Sequence, residues 1–447
     1  MRLSAPPVAP SRPPAFDHRW RRLAVLGVVA LLVACGEDGG GSDADTRDTA
    51  SQGDAPDTSL PDTAPDTILV DAPDTSDPDA VFDALDPDVG DASDADTGAP
   101  RDFTARGPYR VGYRSTSFSY APRDGSAART LRLVAWYPTL ATTGDEVLYA
   151  GLLPAPGVLG DAPPAGLAKV PMVVFSHGNS SFAEQSYFLT EFLATHGFLV
   201  LAPDHTNNTF GETVPAEILH WRPDDIRAVI DYAEALPVAD PLAALVGGRI
   251  AVVGHSFGGY TALAVGGATW AVDLMLALCD SGTVPALDCA SLVANEAVYR
   301  AGFGDARVSA IVPMTPGALL TFGSAGTEAI AVPALLMTGA LDQTTPNETE
   351  GDLAWQGLSA NLGNLRVDFA TAGHYTFSDA CSLPISVGED DGCGPGFIAP
   401  EAAHRAINAY VLAFLERELE DATDGFALLT GADEIEPDVT LTPASAR

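Results

Sequence analysis

The chain has 447 residues, with 60 acidic and 23 basic side chains and a net charge of −37 at neutral pH. Beyond residue 100, 17 basic residues still face 40 acidic ones, so that part alone carries −23. Because nucleic-acid binding depends on Lys and Arg that neutralise phosphates, this charge argues against nucleic acid as a partner, and it disfavours anionic polymers as substrates. About 345 residues suffice for one large α/β domain with an ample core.

The N-terminal segment has the features of an export signal. Three arginines between residues 19 and 22 precede an apolar stretch from Leu23 to Ala34, which is shorter than the roughly 20 residues of a membrane-spanning helix. Residues 1–34 are therefore predicted to be a signal peptide. Its end, Leu32-Val-Ala-Cys35, resembles the lipobox of bacterial lipoproteins, which implies lipidation of Cys35 and anchoring in the bacterial cell envelope. An ordinary secretory signal is the alternative, and the paired arginines fit a twin-arginine signal less well.

Residues 35–101 are predicted to form a disordered tether. From Gly36 to Pro100 there are 19 acidic residues and one Arg, with few large apolar side chains. Burial cannot offset the chain entropy of ordering such a segment, and its like charges keep it extended. An Ala-Pro-Asp-Thr unit occurs three times, as in low-complexity tethers. Cation binding is the alternative, although the aspartates lack the glycine-turn spacing of a calcium loop.

Short apolar runs alternate with helical patterns from about residue 130, which is typical of a mostly parallel sheet covered by helices on both faces. Strands are predicted at 131–137, 171–176, 197–203, 249–253, 308–314, 334–338 and 365–370. Helices are predicted at 184–196, at 216–236 with a break or entry at Pro223, after residue 256, and at 400–419. This order predicts a doubly wound α/β-hydrolase fold over residues 102–425, followed by a C-terminal tail from 426 to 447.

The run from Arg249 to Gly259 places a serine between glycines at the end of an apolar strand. Gly254-His-Ser256-Phe-Gly258 is typical of a nucleophile elbow, in which the chain passes from strand to helix and projects the serine hydroxyl above the sheet edge. Such a pentapeptide also arises by chance. The interpretation of Ser256 as a nucleophile therefore depends on partners elsewhere in the chain.

The acid and the base are expected downstream of the serine, on loops after later strands, because the triad of this fold runs Ser, Asp or Glu, then His. Asp342 follows the strand at 334–338, and His374 follows the strand at 365–370. Asp379, beyond His374, is a weaker candidate acid. His255 is expected to point away from the Ser256 side chain and to pack beneath the elbow. The remaining histidines are assigned other positions: His18 in the signal, His177 and His205 at strand ends, His196 before a helix-ending glycine, and His220 and His404 in helices.

An oxyanion hole is predicted from two backbone amides. One belongs to Phe257, the residue after the nucleophile, and the other to an earlier loop. Phe175-Ser-His-Gly178-Asn179 follows the strand expected beside the elbow, and the amide of Asn179 is the candidate. A plain strand terminus at the His-Gly pair is the alternative.

Beyond Cys35, the cysteines fall into two close pairs, Cys279 with Cys289 and Cys381 with Cys393. In an exported chain an even number of cysteines favours disulfides, and two local bridges are predicted, although three connectivities are formally possible. A zinc site is disfavoured because no histidine lies at ligand spacing within either pair. The first pair lies in residues 271–305, which are predicted to be either a substrate-contacting lid or a surface excursion stapled for stability.

Together these motifs resemble the serine-dependent α/β hydrolases grouped as platelet-activating-factor acetylhydrolase-like or predicted dienelactone hydrolase proteins. The resemblance covers about residues 109–419 and includes a helix from Arg222 to Asp231, interpreted as structural. It implies hydrolysis of carboxylic esters through an acyl-enzyme, without metal or organic cofactor. Dienelactone hydrolases proper use a cysteine nucleophile, so Ser256 argues against their substrate.

The expected function is therefore that of a tethered carboxylic-ester hydrolase with a Ser256-His374-Asp342 triad. Its expected partners are a small-molecule or lipid ester and, through Cys35, a membrane. A lipase or polyester hydrolase of the same fold is the alternative among enzymes. Outside enzymes, the alternative is a surface-tethered binding protein that has lost turnover.

Overall fold

The structure is a computed structural model that describes residues 101–284, 286–361, 363–383 and 387–445. The predicted signal peptide, the lipidation of Cys35 and the predicted tether up to residue 100 lie outside these residues. Among the described residues, no helix has both the length and the apolar character needed to cross a bilayer.

A ten-stranded sheet forms the centre of the domain. Its strands and those of a separate hairpin are β1 (Arg110–Tyr120), β2 (Arg129–Thr139), β3 (Leu148–Tyr149), β4 (Leu153–Pro154), β5 (Val158–Gly160), β6 (Met172–Ser176), β7 (Leu199–Pro203), β8 (Ile250–His255), β9 (Val308–Met314), β10 (Leu335–Gly339), β11 (Leu365–Phe369) and β12 (Val439–Pro443). The sheet order is β12-β11-β10-β9-β8-β6-β7-β2-β1-β5, while β3 pairs with β4. The six strands from β11 to β7 run parallel. Residues of β6, β7, β8 and β10 are buried throughout, as expected for strands covered on both faces.

Helices cover both faces of the sheet. They are α1 (Tyr187–Thr195), α2 (Ile218–Glu234), α3 (Phe257–Val265), α4 (Val272–Asp280), α5 (Ala286–Ala294), α6 (Glu296–Ala301), α7 (Gly323–Glu328), α8 (Gly351–Leu358), α9 (Pro400–Glu420) and α10 (Phe426–Leu429). One apolar core joins α1 and α9 to the sheet, and a second core on the opposite face joins α2, α3 and α8 to it. The predicted α/β-hydrolase fold is confirmed.

Helix α2 continues through Pro223, so the predicted break at this residue is wrong. Proline has no N–H, which leaves the carbonyl four residues earlier without its helical donor. That carbonyl belongs to Leu219, and it accepts a hydrogen bond from the Tyr260 hydroxyl at 2.8 Å. A hydrogen bond from a side chain of the neighbouring helix α3 therefore replaces the helical hydrogen bond that the proline removes.

Two further boundaries differ from prediction. Helix α1 begins at Tyr187 instead of residue 184, because the carboxylate of Asp379 accepts the Phe188 amide at 2.9 Å and caps the helix there. The predicted boundary at residue 425 does not divide the fold, since the chain continues into α10 and then β12, which pairs antiparallel with β11. Val439 is the one fully buried residue of β12, so the apolar signal of this edge strand is too short to predict it.

The structure joins Cys279 to Cys289 and Cys381 to Cys393, the two predicted local pairs. The first disulfide links α4 to α5 in the predicted excursion at 271–305. This excursion is anchored through Tyr299, whose ring lies 4.2 Å from that of Trp270 and whose hydroxyl lies 3.1 Å from His220 Nδ1. It therefore packs against α2 and against Trp270, which follows α3.

Candidate active site

Four of the predicted site residues lie on loops that follow parallel strands. Asn179 follows β6, Ser256 follows β8, Asp342 follows β10 and His374 follows β11. Because these strands are parallel, their carboxyl ends meet at one edge of the sheet, where α/β folds place their ligand sites. The sheet thereby brings residues from four distant parts of the sequence to one edge.

The turn at Ser256 has a strained backbone, with φ of 58° and ψ of −119°. Glycines provide the clearance that this turn needs: a Cβ on Gly254 would lie 2.2 Å from the Gly258 carbonyl oxygen, and one on Gly258 would lie 1.8 Å from the Ser176 carbonyl oxygen. The Ser256 amide donates to the carbonyl of Met314 at 2.9 Å, which holds the turn against β9. Strain of this kind persists only where the surroundings enforce it, and it is concentrated at functional sites.

His374 contacts Asp342 directly. His374 Nδ1 lies 2.9 Å from Asp342 Oδ2, and both side chains are buried. Thr345 secures the carboxylate, since its amide donates to Oδ1 at 2.6 Å and its hydroxyl lies 2.8 Å from Oδ2. An ionised carboxylate only accepts, so Nδ1 carries the proton of a neutral His374 and Nε2 is left as the basic nitrogen.

Asp342 is held in its ionised form. Its burial alone would raise the carboxyl pKa, but the neighbouring His374 and the hydrogen bonds from His374 and Thr345 outweigh burial and lower that pKa below its usual value. A carboxylate bonded to the imidazole in this way orients the ring and stabilises its protonated form. The pair can therefore serve as a general base that is held in one tautomer.

The loop after β6 lies against the serine. A Cβ on Gly178 would lie 3.1 Å from Gln185 Oε1 and 3.4 Å from Ser256 Cβ, so a side chain at this position would be closely confined. The Gly178 amide donates to Gln185 Oε1 at 2.6 Å and is thereby engaged. The Phe257 amide begins α3, where backbone N–H groups have no partner within the helix. The amides of Phe257 and Asn179 stay the predicted oxyanion donors.

Gln185 and His255 link this loop to the base. Gln185 Nε2 lies 2.5 Å from His255 Nδ1, and His255 Nε2 lies 3.0 Å from the carbonyl oxygen of His374. Since a carbonyl only accepts, His255 carries its proton on Nε2. Burial lowers the pKa of His255 to about 3, so the ring stays neutral. The expectation for His255 was incomplete, because its ring lies 4.7 Å from that of His374 and supports the base loop.

Arg222 is a buried cation behind the candidate oxyanion hole. It donates to the His177 carbonyl and, at 2.5 Å, to Asn208 Oδ1, while Asn208 donates to Asn179 Oδ1 at 2.8 Å. Its guanidinium also lies 4.7 Å from the centre of the Phe257 ring. Burial lowers the pKa of Arg222 to about 9, which leaves it protonated at neutral pH. Sequence reasoning missed this role, since an arginine in a helix gives no local sign of what it contacts across the fold.

A second Ser-His-Asp arrangement lies beneath the loop. His205 Nε2 is 2.9 Å from Ser176 Oγ, and His205 Nδ1 is 2.8 Å from Asp225 Oδ2. All three residues are fully buried, so a substrate cannot reach them. Burial lowers the pKa of His205 well below its usual value. This set is a buried structural connection between β6, the loop after β7 and α2.

Asp379, the weaker candidate acid, lies elsewhere, where it caps α1 as described above. Burial raises the pKa of its carboxyl group well above the usual value. Within the part of the chain that the structure describes, no group of three or more His, Cys, Asp or Glu side chains is arranged to hold a metal ion.

Glu350 gives a prediction on stability. It is buried close to the candidate triad, where its Oε2 accepts the Leu319 amide at 2.8 Å; burial, with the charge of Asp342, raises its pKa to about 8. The unfolded chain has the ordinary value of about 4.3. Between these values the folded state binds the extra proton, so the free energy of unfolding falls as pH rises from about 4.5 to 8.

Glu350→Gln keeps the size and the acceptor but cannot ionise. We expect it to be more stable than the wild type by a few kcal/mol at pH 8 and equal to it near pH 4.5. Urea denaturation at the two pH values measures the difference. An equal difference at both would show that Glu350 does not titrate in this range.

The parallel sheet, the strand-to-helix turn at Ser256 and the helices on both faces define an α/β hydrolase. Residues 173–436, more than half of the chain, match the alpha/beta hydrolase family, and the chain belongs to this family. Among solved structures it is similar to a ferulic acid esterase from Streptomyces cinnamoneus, with a TM-score of 0.54 and 23% identity over 77% of this chain and 99% of the other. This likeness shows a shared fold. No curated protein matches the chain significantly.

Proposed function

We propose that the protein is a serine-dependent carboxylic-ester hydrolase that acts through an acyl-enzyme. The observation that carries this proposal is the hydrogen bond of 2.9 Å between His374 Nδ1 and Asp342 Oδ2. Both residues lie on loops at the edge of the sheet where the strained turn presents Ser256. A serine hydroxyl is a weak nucleophile at neutral pH and needs such an oriented base. Membership of a hydrolase family supports the same reaction class.

In the proposed mechanism His374 Nε2 takes the proton of Ser256 as the serine oxygen attacks the ester carbonyl. The amides of Phe257 and Asn179 hold the negative oxygen of the tetrahedral intermediate, and Asp342 stabilises the imidazolium. Collapse of the intermediate passes the proton to the leaving alcohol and leaves the acyl group on Ser256. Water then repeats the steps, which releases the acid and regenerates the serine. Apart from this water, the proposed steps use side chains and backbone amides of this chain.

The substrate class is proposed from the resemblance to the platelet-activating-factor acetylhydrolase-like proteins, which favours small or lipid esters. We further propose that the enzyme is held outside the cytoplasm by a lipid anchor on Cys35, with residues 35–101 as its tether; the predicted signal peptide and the lipobox-like sequence support this. Of the two interpretations of residues 271–305, we propose the surface excursion stapled for stability, because Tyr299 anchors it on Trp270 and His220. A ferulic acid esterase is among the structures of the same fold, so a hydroxycinnamate ester belongs among the substrates to test.

The proposal is tested by hydrolysis assays on the full-length protein. The panel contains p-nitrophenyl esters of acetate, butyrate, octanoate and palmitate, together with methyl ferulate and a phosphatidylcholine. We expect turnover of at least the short esters, with kcat/KM falling as the chain lengthens. A maximum at palmitate or phosphatidylcholine would favour the lipase alternative, and no turnover of any ester by folded protein would overturn the proposal.

A further inference from the structure

We propose that Asp391 is a positioning residue that holds the loop of Asp342 and the loop of His374 in their relative positions. In this proposal the Cys381–Cys393 disulfide keeps Asp391 in place. The inference rests on the proposed function, because it assigns Asp391 to the geometry of that same site. Asp391 acts in this proposal through Asp342 and His374, without contact with substrate.

The carboxylate of Asp391 accepts four hydrogen bonds. Its Oδ1 accepts the amides of Gln343 and His374, each at 3.0 Å, and its Oδ2 accepts the Thr344 amide at 2.9 Å and the Thr344 hydroxyl at 2.7 Å. Gln343 and Thr344 directly follow the proposed acid, Asp342. One buried carboxylate therefore joins the backbone after the acid to the backbone of the base itself. Bonds to an ionised acceptor are stronger than those between neutral groups, which suits a clamp between two loops.

The loop that carries Asp391 is packed tightly against the turn at His374. A Cβ on Gly373 would lie 2.5 Å from the Asp391 carbonyl carbon, and a Cβ on Gly392 would lie 2.7 Å from the Thr376 amide nitrogen. The two backbones therefore touch directly. A small displacement of this loop has to move either the histidine turn or the carboxylate away from its donors.

The disulfide joins Cys381 to Cys393, two residues after Asp391. Glu389 and Asp390 precede Asp391, and three adjacent carboxylates repel one another, which favours open conformations of the loop. A covalent closure removes many of those conformations from the available ensemble. The bridge thus limits the conformations that are open to the segment carrying Asp391.

The chain offers a matched control in its other disulfide. Cys279 and Cys289 lie in α4 and α5, in the excursion that packs against α2, and they close a loop of nearly equal length. Removal of either bridge takes away one crosslink of a similar kind. Among the described residues, the segment between Cys381 and Cys393 contains Asp391, whose side chain hydrogen-bonds both loops of the proposed triad. The described part of the segment between Cys279 and Cys289 makes no such contact.

The test compares Cys381→Ser/Cys393→Ser, Cys279→Ser/Cys289→Ser, Asp391→Ala and Asp391→Asn in the full-length protein. Steady-state hydrolysis of p-nitrophenyl butyrate gives kcat and KM, and thermal unfolding checks the fold. A misplacement of catalytic groups by about 1 Å costs on the order of 100-fold in rate. We expect kcat to fall about 100-fold in Asp391→Ala and at least tenfold without the Cys381–Cys393 bridge, with KM within about twofold. Asp391→Asn, which retains one acceptor oxygen, should recover part of the loss.

Wild-type activity and the Cys279→Ser/Cys289→Ser control separate the two claims. If both are inactive on every ester, the proposed function fails; if both are active, the Asp391 variants decide the inference. A wild-type kcat in folded Asp391→Ala, or equal effects of the two disulfide removals, would overturn the inference. If Asp391→Ala does not fold, the isosteric Asp391→Asn decides. A kcat loss of about tenfold at unchanged KM supports the inference, and an unchanged kcat overturns it.

Discussion

Replacement of Ser256 by alanine is expected to lower kcat/KM for a short p-nitrophenyl ester by about five to six orders of magnitude. Loss of the nucleophile in a comparable triad enzyme costs roughly this amount, and the residual rate comes from the oxyanion donors and substrate binding. The substitution removes one oxygen atom, and the Gly254 and Gly258 clearances that shape the turn are unchanged. The expected effect is therefore on chemistry, with the thermal unfolding temperature close to that of the wild type.

The matched control is Ser281→Ala. Ser281 is an exposed serine at the end of α4, where its hydroxyl lies 2.9 Å from the Leu278 carbonyl oxygen. This variant should keep wild-type kcat/KM. If Ser256→Ala retained more than about a hundredth of the wild-type value in purified protein, Ser256 would not be the nucleophile.

Replacement of Asp342 by asparagine is expected to lower kcat by about four orders of magnitude, because the amide fixes the wrong tautomer of the base. The Asn oxygen can still accept the Thr345 amide, which turns its NH2 group toward His374 Nδ1. Nδ1 must then accept, so the proton moves to Nε2. An Nε2 that carries a proton cannot take one from Ser256. The measurement is kcat at saturating ester, with folding checked by circular dichroism.

Asp379→Asn is the control for this prediction, since Asp379 is the other acid near His374 in the sequence. Its carboxyl group caps α1 by accepting the Phe188 amide, and asparagine has the same shape and keeps an oxygen that can accept this amide. We expect kcat to change by less than about threefold. A loss of about four orders of magnitude in Asp379→Asn, with activity retained in Asp342→Asn, would assign the acid to Asp379 instead.

The central strands of the fold could be predicted from the sequence, because β6, β7 and β8 are covered on both faces and appear as continuous apolar runs. Strand β12 could not, since this edge strand has only two apolar side chains besides its proline, Val439 and Leu441, and only Val439 is buried. The local sequence also could not predict that α2 continues through Pro223, because this continuity depends on the Tyr260 hydroxyl from another helix. The predicted strands are therefore those whose burial on both faces leaves a continuous apolar run in the sequence.

The same division applies to the site. Ser256, Asp342 and His374 could be nominated because each follows a strand in the order that this fold requires. Gln185, Arg222 and Asp391 could not, since their importance comes from hydrogen bonds to loops that are distant in sequence. The histidine next to the serine was a visible signal, but only the fold shows that His255 contacts the His374 carbonyl. The supporting residues can thus be found only from their contacts in the folded chain, whereas Ser256, Asp342 and His374 can be nominated from their order along the sequence.

The most direct test of the central claim is covalent labelling of the full-length protein with a fluorophosphonate probe, with the modified peptide identified by mass spectrometry. An activated serine attacks the phosphorus of the probe, whereas an ordinary serine does not. We predict one label per chain, on Ser256, with no labelling of Ser256→Ala and much slower labelling of His374→Ala. Folded wild-type protein that remains unlabelled, or that is labelled at another serine, would contradict the assignment of Ser256 as the nucleophile of an ester hydrolase.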